Sequence, residues 1–440
     1  MIPRILVIPI SIVIVIGSLP FLLNSNAFGE ASSNTSALDG AVKCTFCNTI
    51  LTSRSQNMSD NQLLRFNKLT LNNLDITSVD TNSKENMLYI LGIEHKKQDN
   101  EILDRNVVLV VDTKAKKIVD KIMIYDKNID LNNILFDDKN NRLYGTGTKV
   151  IKNNDKSIST NFIYEISFPE GKAKLSFNNI TTDVFPIESE DNDETGIVDI
   201  DISTKSNNVY IISSNNSMID GHNVISGEQD QLSTPTYKKI DTQKIYIIPY
   251  GNEIINNPEE KVNYVLSNSI KSSDKDIIFV LNESTSRIIK NYTLPSLNSR
   301  NVALDSSKGK IYILGDYFGY NIDIKGLSKQ SDLITTIDTN SNNVTHFSLG
   351  DFTIKDFIND PKNDSLYAIA KGQMHNQQQK SNDNYLLDID TKTGMIKEIL
   401  SIPLDLNYIV MNDISQTLFI IGKDSHNDEN KILFINVNRK

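Results

Sequence analysis

The densest run of oxygen donors in this 440-residue chain is Asp191-Asn192-Asp193-Glu194-Thr195-Gly196, with Asp199 and Asp201 close behind. Donors at places 1, 3 and 5 followed by a glycine match the opening of a calcium loop, where the glycine makes the sharp turn. Asp191, Asp193, Thr195 and Asp199 are therefore the candidate metal ligands, and calcium is the cofactor their spacing suits. Place 12, where a bidentate glutamate belongs, is Ile202, and no helix pattern follows. The plain alternative is a solvated acidic connector.

Four of the five histidines, His95, His222, His375 and His426, fall in polar connections, where they could share a metal if the fold brought them together. No second histidine or spaced carboxylate accompanies any of them, so the alternative is exposed loop polarity. Cys44 and Cys47 form the chain's only cysteine pair, as Cys-Thr-Phe-Cys. Without a βαβ pattern or a following histidine, neither a thioredoxin-like site nor haem attachment is indicated. A disulfide, local or between chains, in an oxidising compartment is the simplest reading. Nucleophile elbows, zinc-protease helices, phosphate loops and dinucleotide fingerprints are all missing, so no residue is singled out as catalytic.

What positions these residues is a repeat. The stretch Asp305–Gly315, DSSKGKIYILG, is a polar turn feeding an apolar strand with a tyrosine in it. Related versions carry Tyr89, Tyr144, Tyr210, Tyr264, Tyr367 and Phe419, so that successive copies lie 55, 66, 54, 48, 55 and 52 residues apart. A second hairpin follows most of them, as in VVLVVDTKAKKIVDKIMI, with Asp-Thr at its turn. Four strands per unit, a-b then c-d, at a period near fifty indicate a propeller-like array of meanders. Ile337–Gly350 (IDTNSNNVTHFSLG), IDTKTG at 389–394 and hairpins such as DPKNDSLYAIA resemble YVTN-type β-propeller repeats, which are WD40-like, over residues 62–440. The expected fold is all-β: a seven-bladed β-propeller of four-stranded antiparallel blades. The seventh unit lacks a strand d before Lys440, and Leu63–Leu71 is the spare segment expected to close that last blade.

Short a-b and c-d turns occupy one end of every such blade, and the longer b-c connections the other. These span 93–106, 146–160, 214–235, 316–332, 371–384 and 423–430. Long loops on a rigid scaffold are where binding residues collect, so the b-c face and channel mouth are the default site. Residues 1–27 read as a signal peptide or an N-terminal anchor helix: Arg4, an uncharged run from Ile5 to Leu23, then Ser25 and Ala27 at cleavage spacing. Residues 28–61 are a polar linker. A net charge of −10 argues against nucleic acid, and membrane contact is expected only through the N-terminal segment. Export makes the sequons at Asn34, Asn57, Asn179, Asn215, Asn282, Asn291, Asn343 and Asn363 candidates for glycans. The function expected is a non-enzymatic binding or scaffold module, extracellular or on the cell surface, with a protein or glycan ligand. The alternative is a propeller-class hydrolase, lyase or redox enzyme acting at the channel mouth.

Overall fold

The computed structural model describes residues 67–98, 101–124, 129–153, 156–167, 196–202, 209–214, 225–227, 243–247, 251–268, 275–285, 287–295, 297–318, 330–350, 352–372, 384–424 and 427–438. Strand β1 (Asn67–Leu71) comes first and belongs to the last sheet. The first sheet runs β2 (Leu74–Asn82), β3 (Met87–Gln98), β4 (Glu101–Asp112) and β5 (Lys117–Ile124). Next come β6 (Ile129–Asp137), β7 (Arg142–Asn153) and β8 (Lys156–Ser167), a three-stranded sheet. The third contains β9 (Gly196–Ile202), β10 (Val209–Ser214), β11 (Ile225–Gly227) and β12 (Gln243–Ile247).

Two plain meanders follow: β13 (Gly251–Asn257), β14 (Val262–Ser267), β15 (Ile277–Asn282), β16 (Ile288–Thr293), then β17 (Leu297–Asp305), β18 (Lys310–Phe318), β19 (Gln330–Asp338), β20 (Asn343–Ser348). The sixth sheet is β21 (Phe352–Asp360), β22 (Ser365–Gly372), β23 (Asn384–Asp390) and β24 (Ile396–Ile402). The last is β25 (Asp405–Asn412), β26 (Thr417–Lys423) and β27 (Asn430–Asn436), with β1 outermost. Each first strand packs against the first strand of the next sheet, and β25 packs against β2, so the sheets form a closed ring.

The repeat is built by its turns. A carboxylate or amide at the end of six of the first strands accepts main-chain N–H bonds from the turn: Asn82 from Glu85, Asp137 from Lys139, Asn257 from Glu259, Asp305 from Lys308, Asp360 from Lys362 and Asn412 from Ile414. The turn then closes on a residue with positive φ, at Asn86, Asn141, Lys261, Gly309, Asp364 and Gln416. Asn and Asp reach that region by bonding their own backbone, and glycine needs no help. The Asp-Thr turns do a second job. Thr113 and Thr339 each donate both N–H and Oγ1–H to the carbonyl of that positive-φ residue, Asn86 and Gly309. The first and fifth sheets thus tie their two hairpins together at one end.

The second strands are buried on both faces, because sheets lie on either side of them. All six residues of β14 are buried. The repeat aromatics fill the gaps between sheets; Tyr89 stacks on Phe136 of the next sheet at 4.8 Å between ring centroids.

Closure of the ring uses both ends of the described chain. β1 pairs antiparallel with β27, from Asn67 opposite Phe434 to Leu71 opposite Asn430. Leu71, Leu74, Phe419, Ile432 and Phe434 form one apolar cluster across the seam between last and first sheets.

The expectation of seven four-stranded antiparallel blades is corrected. The described residues form six four-stranded sheets and one of three strands. Residues 168–195, which follow β8, lie outside the described residues, and Pro169, just past β8, cannot donate to a ladder. In the third sheet β12 pairs parallel with β10 while β11 lies outermost. A strand reached after two chain reversals runs parallel to the starting one, and β11 supplies the additional reversal. No helix occurs among the described residues, so none there is long and apolar enough to cross a membrane. The leader at 1–27 and the linker at 28–61, with Cys44 and Cys47, lie outside them.

Candidate functional site

Two of the expected b-c loops are not loops. Residues 93–106 and 146–160 are mostly strand: β3 with β4, and β7 with β8, run on as two-stranded arms. The first arm begins where β2 stops pairing, after Glu94 opposite Leu74. Its Lys96, Lys97 and Glu101 read as loop because apolar alternation has ended. A ribbon of two strands nonetheless satisfies its own main-chain bonds without burial.

At the same end, every first strand carries a bulge near its start, for example between Ile76 and Ser78, between Ile197 and Asp199, and between Ile354 and Asp356. A bulge kinks the strand and re-aims the side chains beside it. The residue just past it, or in β17 the bulged residue itself, reaches the next sheet, and the series runs Ser78, Asn133, Asp199, Glu253, Asn301, Asp356, Tyr408. Ser78 Oγ accepts from Ile134 N–H at 3.2 Å, and Asn133 Nδ2 donates to Asp199 at 3.1 Å. Asp199 accepts from Ile254 N–H at 2.9 Å, and Glu253 accepts from the main chain of Val302. Asn301 Nδ2 donates to Asp356, which accepts from Ile409 N–H at 3.2 Å. Tyr408 Oη lies 3.0 Å from Ile76 O and 3.1 Å from Thr77 O, completing the circuit.

The carboxyls of this inner ring sit among protein atoms that replace water, which disfavours their charged form. Burial pushes Asp356 up to about 6 and Glu253 well above the ordinary carboxylate range, with Asp199 adding repulsion at Glu253, and it pushes Asp80, two residues beyond Ser78 and accepting from Phe136 N–H, up to about 7. Outside the inner ring lies a rim of ion pairs. The bulge residues Arg300 and Lys355 are cationic: Arg300 meets Asp316 at 2.5 Å and Asp332 at 3.3 Å, and Lys355 meets Asp405 at 2.8 Å. Lys371 joins Asp405 at 3.1 Å, and Lys423 meets Asp428 at 2.8 Å. On the first arm His95 lies between Asp104, 2.7 Å from Nδ1, and Asp75, 2.8 Å from Nε2.

Of the residues expected from sequence, Asp199 is in the inner ring, with one carboxylate oxygen facing Asn133 and the other Ile254. Asp191, Asp193 and Thr195 lie outside the described residues, as do His222, His375 and His426. Both ring nitrogens of His95 face carboxylates. Among the described residues no three His, Cys, Asp or Glu side chains are grouped so as to hold a metal. The inner ring escaped sequence reading because its residue types differ at every step. One signal was present: most members stand four residues before the turn acceptor, as Ser78 before Asn82, Asn133 before Asp137 and Asp356 before Asp360.

No protein-family model matches the chain, and no curated protein sequence does. Solved structures do. Kuenenia stuttgartiensis hydrazine synthase aligns over 84% of this chain and 98% of that one, with 12% identity and a TM-score of 0.51. The chain is a β-propeller. The propeller also aligns with two proteins of that form at TM-scores of 0.43 and 0.46: the Myceliophteria thermophila Cps50 (Swd1) β-propeller domain and the Neurospora crassa Pan2 WD40 domain. The first is 10% identical, over 84% of this chain and 99% of that one; the second is 8% identical, over 83% and 90%. At such identities the likeness concerns the fold alone.

Proposed function

We propose that this propeller is a non-enzymatic binding module, of YVTN-type repeats, exported to the cell surface, and that it takes a protein or glycan ligand on its b-c face. One observation carries the choice of face. The opposite end presents short turns closed by their own side chains, whereas the b-c end carries projecting arms and a rim of charged side chains around the inner ring. Polar side chains held at fixed positions by rigid strands give a surface that can orient a partner without reacting with it. Export rests on the uncharged leader and on the cysteine pair.

The reading is tested by replacing residues 95–104 with a two-residue Asn-Gly turn and screening both proteins, immobilised as residues 28–440, on panels of glycans and envelope proteins. The parent should retain a ligand that the shortened variant loses, with the melting temperature within a few degrees. A ligand held equally by both would move the site off this face. Turnover of a panel member would overturn the non-enzymatic reading.

A further inference from the structure

His95 stands at the root of the first arm. It is the first residue of β3 beyond the last pair with β2, and its main-chain N–H bonds to Asn73 O at 3.1 Å. Past it the arm has only its own ladder, from His95 opposite Asp104 to Gln98 opposite Glu101. The imidazole spans three strands: Nε2 is 2.8 Å from Asp75 Oδ2 on β2, and Nδ1 is 2.7 Å from Asp104 Oδ1 on β4.

A neutral imidazole has one N–H; its other nitrogen is an acceptor. Either neutral tautomer would therefore turn a lone pair towards a carboxylate oxygen at hydrogen-bond distance. Only the imidazolium donates in both directions, and both of those bonds are then charge-assisted. We propose that Asp75, His95 and Asp104 are a proton-operated clamp, which ties the β3–β4 arm to the inner strand β2 when the imidazole is doubly protonated and frees it when one proton leaves.

The surrounding charges bear on the clamp as follows. Glu94, the preceding residue, is paired with Lys121 of β5 and lies opposite Arg105 in the ladder. Lys96 follows His95. From the last sheet, Lys423 bears on Asp75 and is itself paired with Asp428. The ion pair at each carboxylate, 2.8 Å at Asp75 and 2.7 Å at Asp104, is made with His95. Asp104 and Asp75 hold the His95 charge above the ordinary histidine range. A raised folded-state value makes the clamp complete below about 6.5, the unperturbed histidine value, and lost as pH rises through the folded value. The clamp lies on the proposed binding face, but its geometry does not depend on what binds there.

The test uses the full chain with ring-labelled histidine, of which there are five. His95→Gln assigns the His95 resonance, whose titration should fall above about 6.5. Hydrogen exchange of amides 95–105 is measured at pH 6 and at pH 8.5, corrected for intrinsic rates. Exposed ion pairs are worth roughly two- to tenfold in an opening equilibrium. The corrected exchange of the arm should therefore rise by about that factor in the parent and show no step in His95→Gln. Asp104→Asn should bring the His95 titration down. A titration at or below the ordinary histidine value, or a step that survives in His95→Gln, would overturn the clamp. Ligand loss on replacing the arm tests the binding face and leaves these readouts unmoved.

Discussion

Asp199 shows how one side chain can serve two sheets. Its carboxylate takes an N–H from Ile254 on β13 and the amide of Asn133 on β6, so it joins the sheets on either side of its own. Asp199→Ala would leave that N–H and that amide without their acceptor in the ring. An unmade bond of this kind costs about 1–3 kcal/mol. The urea midpoint should fall accordingly, and Asp199→Asn, which keeps one acceptor oxygen, should lose less. An unchanged midpoint for the alanine variant would mean that water in the channel replaces the carboxylate. The calcium reading of the same residue drew on spacing alone. Spacing along one strand does not disclose that Asn133, 66 residues earlier, supplies the partner.

At the scale of elements, the turns were readable and the arms were not. A turn is a local chemical event: Asp360 and Asn412 each accept N–H bonds two or three residues on, and the same letters recur in every copy. The arms and the parallel β10–β12 pair are decided by main-chain pairing, which leaves no mark on a run of charged or polar residues. The N-terminal strand is intermediate. Its pairing with β27 crosses the whole chain, yet β27 needed an outer partner and Leu69 and Leu71 alternate with polar neighbours. Leu71 is 1% exposed within the seam cluster, so Leu71→Ala should cost about 2–4 kcal/mol by the usual cavity argument. Deleting residues 67–71 should do more, since β27 would then present an open edge to other chains. Thermal melting with light scattering would record both effects. A deletion that melts like the parent and stays monomeric would show that the ring closes without β1.

For the molecule as a whole, the buried carboxyls and the surface ion pairs act oppositely with pH. Asp364 is drawn down to about 2 by Lys308 and Lys392, and Asp405 is lowered by Lys355 and Lys371. Groups lowered in this way stabilise the fold above the ordinary carboxylate value and cease to do so as pH falls through the folded one. Asp356 and Asp80 behave in reverse. Their protonated forms are favoured by the fold, so their contribution is present below about 4, the unfolded value, and is lost as pH rises through about 6 and about 7. Glu253 moves in the same sense, and so does His95 with its own window above the histidine value. Both aspartates are half-buried rather than sealed, so solvent screens part of the penalty, leaving on the order of 1–2 kcal/mol each. The melting temperature should therefore peak near pH 4 and drop by a few degrees by about pH 7. Asp356→Asn should remove the part of that decline that runs from about pH 4 to about 6, and Asp80→Asn the part that runs on to about 7. The two amides keep the size of the side chains and cannot ionise. If both variants reproduce the parent's decline, the inner carboxyls are hydrated and the decline with rising pH has another source.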